Sequence, residues 1–351
     1  MSILITPHRR WTRTMGHVAA IVTALLIGGL AVRAQSADPP VRVLDVKKSV
    51  MQQEVVRLAE AGFAIVLAHL DQPGLFTAQR AMLLAQRDQD AGARSYLFVD
   101  DLDVFLREGQ HEAGYRLLPA TLTRGMKGRG LAGEFAGTYY AAILERMPVD
   151  TAVREYLFVK EGTAGDLEKT ARTSGDGLLP VAINTHGAAA GVFERQAQSG
   201  PWKILATKQK GTMDRELSEA AAEGYRIVVA SGGAEYVFAL VQNTSTPPAD
   251  YRLLQGTNAS LERKMNEMAA QGFRFTMASL LSVGGDGSLG ETTALVMERT
   301  TAPGPITYRV VGAARVVEAA ADGFRILAAS VGYKGTVIVL AKPSGETTTV
   351  R

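Results

Sequence analysis

The motif with the best-defined chemistry is a glycine-rich string at 128–133, GRGLAG, which has GxGxxG spacing through Gly128, Gly130 and Gly133. In dinucleotide-binding proteins such glycines join a strand to a helix, so that phosphate meets the helix N-terminus. Here the flanking segments are both strand-like, so we interpret 124–138 as a hairpin loop. The basic residues Lys127 and Arg129 leave anion binding as the alternative for this loop.

A second glycine-rich loop, GGDGSLGE at 284–291, contains Asp286, Ser288 and Glu291. Oxygen atoms of these residue types can bind calcium, but the repeated acids of an EF-hand are missing. Ordinary turn formation also favours Asp, Ser and Gly. We therefore predict no metal site and no cofactor.

Few residues of this chain suit catalysis. Only His69, His111 and His186 follow residue 34, and none belongs to an HExxH motif or has a partner at metal-ligand spacing. The chain has no cysteine, which excludes thiol nucleophiles, disulfides and thiolate metal sites. We interpret the histidines as structural and favour a protein that is not an enzyme. Because catalytic triads are spatial arrangements, a site assembled from distant residues stays open.

An arginine recurs after an aromatic residue at four equivalent positions: Arg116, Arg226, Arg274 and Arg325. The alternation of a strand places these side chains opposite the aromatic residue, on the solvent face of a sheet. They either contact an anionic polymer or a partner protein, or pair with acids on neighbouring strands. A small polar residue also recurs further along the same strand, at His69, Thr121, Ser231, Ser279 and Ser330. It either lines a shared groove or packs tightly at a strand end.

The N-terminus has the composition of an export signal. Residues 1–34 contain four arginines and no acid, with a short apolar run over 18–32 and small residues before Gln35. An uncleaved membrane anchor is the alternative, although the run is shorter than a comfortable span. The rest of the chain has 34 basic and 35 acidic residues, so the whole-chain charge of +3 becomes −1 after cleavage. We therefore predict no nucleic-acid binding.

Six related segments account for nearly all of the chain after the leader. Three of them align without a gap at 217–231, 265–279 and 316–330, as LSEAAAEGYRIVVAS, MNEMAAQGFRFTMAS and VVEAAADGFRILAAS. The glycines that align the six copies are Gly62, Gly114, Gly175, Gly224, Gly272 and Gly323. A repeat of about fifty residues indicates an array of small structural units.

Each copy predicts a strand, a helix and two further strands. In the fifth copy Leu261, Met265, Met268 and Ala269 form one apolar stripe of a helix, and Gly272 is placed to end it. The first strand opens with an aromatic residue in five copies, at Tyr96, Tyr156, Trp202, Tyr251 and Tyr308, and with Val41 in the first. About fifty residues make only a marginal core, so neighbouring units must pack together.

The helix ending in Ala-Ala-x-Gly, followed by an aromatic residue and a strand, resembles short bacterial βαββ domains of unknown function. The resemblance lies in Ala221–Tyr225, Ala269–Phe273 and Ala320–Phe324, and the third copy departs from it at Asp176. It implies a fold and no activity.

We predict an α+β protein of six tandem βαββ repeats, with helices packed on antiparallel or mixed sheets. The predicted boundaries are a signal peptide at 1–34, repeats at 35–91, 92–149, 150–199, 200–247, 248–304 and 305–343, and a tail at 344–351. Whether the repeats form pairs or a closed array stays open.

The function we expect is a binding module of the bacterial envelope, periplasmic or secreted, that contacts an envelope protein or an anionic polymer. The candidate residues are Arg116, Arg226, Arg274, Arg325, Lys127 and Arg129. The alternative is a periplasmic hydrolase or small-ligand-binding protein with its site in loops 124–138 and 183–191. Membrane association is expected only if the leader is retained, and the sequence leaves the oligomeric state open.

Overall fold

Short amphipathic helices alternate with strands along the chain, and α5 (Asn258–Ala270) shows how the sequence forms them. The Thr257 side chain caps its N-terminus by accepting a backbone hydrogen bond. Leu261 and Met265 are buried, as the predicted stripe requires. Gly272 then has a φ of 87°, a left-handed conformation that ends helices at little steric cost.

The computed structural model describes residues 39–71, 79–88, 93–109, 113–126, 137–197, 200–245, 247–284, 291–301, 304–332 and 334–343.

The elements fall into six successive groups, which we name sheets 1 to 6 with their helices. Sheet 1 contains β1 (Val41–Lys47), α1 (Met51–Glu60), β2 (Phe63–Leu70) and β3 (Arg80–Arg87). Sheet 2 contains β4 (Ser95–Val99), α2 (Leu102–Arg107), β5 (Tyr115–Leu117), β6 (Thr123–Met126) and β7 (Thr138–Arg146). Sheet 3 contains β8 (Tyr156–Glu161), α3 (Ala164–Thr173), β9 (Leu178–Asn184) and β10 (Ala189–Arg195).

Sheet 4 contains β11 (Trp202–Thr207), α4 (Lys210–Ala222), β12 (Tyr225–Ser231) and β13 (Tyr236–Gln242). Sheet 5 contains β14 (Tyr251–Gly256), α5, β15 (Phe273–Phe275), β16 (Leu281–Val283) and β17 (Thr292–Arg299). Sheet 6 contains β18 (Ile306–Val311), α6 (Val316–Ala321), β19 (Arg325–Gly332) and β20 (Gly335–Pro343).

All six sheets have the same strand order. The last strand of each group lies in the middle and pairs antiparallel with the first strand on one side and the second on the other. In sheets 2 and 5 the second strand is divided in two, and both pieces pair with the central strand. The predicted α+β class is therefore confirmed, with antiparallel pairing within every sheet.

Each helix packs between its own sheet and the next sheet along the chain. Thus α5 contacts β18, and Leu261 and Met265 share one apolar cluster with Tyr308 and Val310. A single sheet with one helix buries too little apolar surface to be stable, so these shared clusters supply the missing burial.

The same packing continues from the last sheet to the first. Helix α6 contacts β1, and Val316 and Phe324 share a buried cluster with Val41 and Leu84. The second strands also contact one another in order, from β2 through the Pro119–Thr121 turn to β9, β12, the Met277–Ser279 turn, β19 and back to β2. The six sheets therefore close a ring with their second strands innermost.

A tyrosine hydroxyl joins most neighbouring sheets. The first-strand tyrosine of one sheet accepts a hydrogen bond from a backbone N–H in the second strand of the preceding sheet. The four pairs are Tyr96 with Ile65 at 3.3 Å, Tyr156 with Leu117 at 3.1 Å, Tyr251 with Ile227 at 3.4 Å and Tyr308 with Phe275 at 3.1 Å. Between sheets 3 and 4 the equivalent strand residue is Pro180, which has no N–H, and the aromatic residue is Trp202, which has no hydroxyl.

In sheet 3 the glycine that ends the helix differs from the predicted one. Its second strand begins at Leu178, so Gly177, with a φ of 80°, holds the place that Gly62 holds in sheet 1. The sequence alignment used Gly175, two residues too early, because the third copy has two glycines at this turn.

Candidate ligand-binding cavity

The inner strands line a partly open cavity of about 410 Å³ on the axis of the ring. Every sheet contributes to its wall, for example through Ala68, Ala120, Ile183, Ala230, Leu280 and Ala329. The wall is mainly aliphatic, with few polar side chains. Cavities of this size and composition are typical of small-molecule sites in proteins.

The polar side chains collect where the inner strands end. His69, Asn184, Ser231 and Ser330 occupy one register level, because each pairs with the corresponding residue of its central strand. His186 follows two residues after Asn184 and also lines the cavity. The cavity is therefore polar towards the C-terminal ends of the inner strands and apolar along the rest of its wall.

Two of these polar groups hold neighbouring sheets together. The Ser231 hydroxyl accepts a hydrogen bond of 3.0 Å from the backbone N–H of Thr185. The Asn184 amide donates to the carbonyl of Leu122 at 3.1 Å, and its Oδ1 accepts from the backbone N–H of His186. In contrast, the side chains of His69 and Ser330 form no hydrogen bond with any residue that the structure describes.

Both histidines have pKa values below the ordinary value of 6.5. Burial lowers the pKa of His69 to about 4, and the nearby His186 lowers it further by repulsion between the protonated rings. Burial also lowers the pKa of His186, against the attraction of Glu291. A neutral imidazole has one donor and one acceptor nitrogen, so the His69 ring can bind a polar ligand group.

The apolar part of the cavity reaches the surface beside two short turns. Met277 lines the cavity yet is 62% exposed, and Pro119 and Ala120 are exposed on the corresponding turn of sheet 2. Both turns are 3-10 helices that interrupt the second strand, at Pro119–Thr121 and Met277–Ser279. They provide an opening through which a ligand can enter.

Because of these turns, the five recurring polar residues of the second strands do not all occupy equivalent places in the structure. Thr121 and Ser279 do not line the cavity. Their hydroxyls donate to the carbonyls of Leu118 and Thr276, respectively, and accept backbone N–H groups of the central strand. Of the two alternatives for this position, His69, Ser231 and Ser330 line the cavity, whereas Thr121 and Ser279 pack at a strand end, because the turns insert residues before the strand resumes.

Three of the four recurring arginines make contacts within the chain. Arg116 donates to Glu145 at 2.7 Å, Arg226 donates to the carbonyls of Tyr225 and Pro247, and Arg274 donates to those of Phe273 and Gly304. Arg325 is exposed beside a surface groove between sheets 6 and 1. The four lie in sheets 2, 4, 5 and 6 and do not converge on one site.

The loop predictions are only partly within the described residues. Lys127, Arg129 and most of 124–138 lie outside them, as do His111 and residues 285–290. Arg124 donates to the carbonyl of His186 at 3.3 Å, so the described parts of 124–138 and 183–191 are in contact beside the cavity. The leader at 1–34 and the tail at 344–351 also lie outside the described part of the chain.

In the described ranges no three His, Cys, Asp or Glu side chains are grouped to hold a metal ion. No helix among the same residues is long and apolar enough to cross a membrane.

A scan against protein-family models found no match to this chain, and a search of curated protein sequences found none either.

The sequence alone did not indicate the cavity. Its wall is built from single residues of six sheets, and only the recurring alanines of the second strand, such as Ala68, Ala230 and Ala329, mark it in the sequence. In sheets 1, 4 and 6 these alanines occupy one register level and leave space along the axis of the ring, whereas Ile183 occupies that level in sheet 3.

Proposed function

We propose that this protein is a non-catalytic binding protein whose ligand is a small, largely apolar molecule held in the central cavity. The observation that carries this proposal is the aliphatic wall to which all six sheets contribute. Burial of apolar ligand surface there would provide about 25 cal/mol per Å² before the entropic cost of binding. In this proposal the chain is an array of six βαββ repeats, and the closed ring is the scaffold that forms the cavity.

We favour the cavity over the recurring arginines as the binding site. Arg116, Arg226 and Arg274 already donate to acceptors of their own chain, so a partner would have to replace those bonds. The cavity, by contrast, contains polar groups without hydrogen bonds to the described residues, at His69 and Ser330.

The cavity proposal is tested by filling the cavity. Ala230→Leu and Ala329→Leu each add an aliphatic side chain to its wall, whereas Ala206→Leu makes the same change at an exposed strand position. Binding of the neutral fluorescent probe N-phenyl-1-naphthylamine is titrated for each variant. We expect the first two to bind at least about tenfold more weakly, because the wall loses space for the probe, and the third to bind like the parent protein.

Circular dichroism and urea unfolding of the same samples separate lost binding from lost folding. If the parent protein does not bind the probe, or if both folded cavity variants bind it as the parent does, the proposal is wrong.

We further propose that the protein works in the bacterial envelope, exported by residues 1–34. The supporting feature is the basic, then apolar, N-terminal sequence with small residues before Gln35. Mass spectrometry of the protein purified from bacterial periplasm tests this, and the expected N-terminus is Gln35. A mature protein that retains the apolar run in the membrane fraction would contradict it.

A further inference from the structure

We infer that the ligand is an aliphatic carboxylate, with its chain along the inner strands and its head group beside His69 and Ser330. This inference rests on the proposed function of the cavity and specifies its ligand.

The ionisable residues of the wall indicate the charge of the ligand head group. No Asp, Glu, Lys or Arg is among the side chains that line the cavity, and its ionisable groups are His69 and His186. Imidazole is either neutral or positive, so a cationic head group would find no opposite charge among the lining side chains. An anionic head group can be paired with a protonated histidine, which offsets the cost of burying its charge.

The available donors fit a carboxylate. His69 and Ser330 occupy the same register level in sheets 1 and 6, and β2 contacts β19 across the closure of the ring. Neither side chain has a hydrogen bond to the described residues. Two donors on adjacent strands match the two oxygens of a carboxylate, each of which accepts hydrogen bonds.

The aliphatic part of the wall indicates the chemistry of the rest of the ligand. It consists of Ala, Val, Leu, Ile, Pro and Met side chains, and no Phe, Tyr or Trp is among the lining residues. An aromatic ligand would therefore have no stacking partner there. A flexible alkyl chain needs only aliphatic contacts, and Met277 at the opening adapts readily to such a chain.

The charged groups around the histidines set the expected pH dependence. The charge of His186 acts on His69 and that of Glu291 acts on His186, and Glu291 accepts a 2.5 Å hydrogen bond from the Lys334 backbone N–H. The guanidinium of Arg124 lies at the His186 carbonyl. A bound carboxylate adds a negative charge next to His69 and raises its pKa, so binding takes up a proton. The affinity should then rise as the pH falls.

A matched pair of ligands tests the inference. Decanoate and 1-decanol have the same alkyl chain, and each is titrated against protein loaded with N-phenyl-1-naphthylamine at about pH 8 and about pH 5.5. We expect decanoate to bind at least about fivefold more tightly at the lower pH, whereas the affinity for decanol should not increase.

His69→Gln should remove most of this pH dependence and weaken decanoate more than decanol. Ser330→Ala should weaken decanoate at both values of pH, and Ser218→Ala, at an exposed helix position, is its control.

The outcomes distinguish the two proposals. If the probe does not bind the parent protein, the cavity function itself fails. If the probe binds but decanoate displaces it no better than decanol, without pH dependence, the cavity function stands and the carboxylate inference is overturned. The same holds if folded His69→Gln and Ser330→Ala both bind decanoate as the parent does.

Discussion

The backbone N–H of Ile326 donates a hydrogen bond of 2.6 Å to the side-chain oxygen of Gln86, and this bond joins sheet 6 to sheet 1. Ile326 holds the position that Ile65, Ile227 and Phe275 hold in their sheets, where a tyrosine hydroxyl is the acceptor. Sheet 1 has no such tyrosine, because its first strand begins with Val41. Gln86 on the central strand supplies the missing acceptor and completes the closed ring.

We therefore expect Gln86→Leu to destabilise the protein by about 1–3 kcal/mol, because it leaves the Ile326 N–H without an acceptor in a largely buried position. Urea unfolding measures this change. The control is Gln242→Leu, which removes an exposed side-chain bond to the carbonyl of Glu223 and should cost less than about 1 kcal/mol. Equal losses for the two variants would show that the contact does not hold the ring closed.

The units themselves follow from local sequence patterns. The apolar stripe of α5, the glycine at its end and the strand after it are each encoded within a few neighbouring residues, so the elements could be predicted. The closure of the ring depends on Gln86, whose partner Ile326 lies 240 residues away in sequence, and on Val41, which packs with Val316 and Phe324. Pro180 with Trp202 is another such adaptation, since the loss of one donor is matched by the loss of one acceptor.

The cavity was less predictable than the fold. His69 and Ser330 come together because β19 packs against β2, and no local pattern carries that contact. The two 3-10 turns then shift the strand that follows them, so Thr123 of β6, and not Thr121, pairs at the level of His69. An alignment of single residues cannot show that shift.

Two equivalent glutamates in opposite sheets should respond differently to neutralisation. Glu145 is 1% exposed and binds both Arg94, at 2.9 Å, and Arg116. Glu298 is half-buried and lies 3.8 Å from Arg226. Glu145→Gln should cost about 1–3 kcal/mol, because it removes the charge of a buried carboxylate and leaves the partly buried Arg94 guanidinium with Asp88, at 2.6 Å, as its remaining counter-charge.

Glu298→Gln is the matched control, and it should cost about 1 kcal/mol or less because its ion pair is long and partly exposed. Burial also raises the pKa of Glu298, against the attraction of Arg226, so part of its charge is already disfavoured. Urea unfolding at about pH 7 compares the two variants. A larger loss for Glu298→Gln than for Glu145→Gln would contradict the expectation that the buried, doubly paired carboxylate contributes more to stability.

The contact between sheets 4 and 5 requires a glycine. A Cβ atom at Gly232 would overlap with the backbone carbonyl oxygen of Ser282, which cannot move without shifting β16. We expect Gly232→Ala to lower the free energy of unfolding by about 1–3 kcal/mol through this overlap. Gly211→Ala is the opposite case, because nothing lies within 4 Å of that position in α4, and it should stabilise the protein by up to about 1 kcal/mol.

Thermal unfolding of both glycine variants measures the difference. A melting temperature for Gly232→Ala at or above that of the parent would show that the two sheets can separate without cost.

The free energy of unfolding should also depend on pH through His69. Its pKa is about 4 in the folded protein, below its ordinary value of 6.5, so between these values the unfolded chain binds a proton that the folded chain does not. Stability is therefore fully present above about pH 6.5 and falls as the pH drops towards 4, by at most about 1.4 kcal/mol per pH unit from this group.

Carboxylates titrate in the same range, so the informative quantity is the difference between the parent protein and His69→Gln. Urea unfolding at several values of pH should give the variant a shallower loss of stability on acidification, because its side chain takes up no proton. His186→Gln should change the slope in the same direction, since burial lowers the pKa of His186 as well. Parallel curves for the parent and His69→Gln would mean that His69 is already hydrated in the folded protein, and the cavity would then have to be open to water at its polar end.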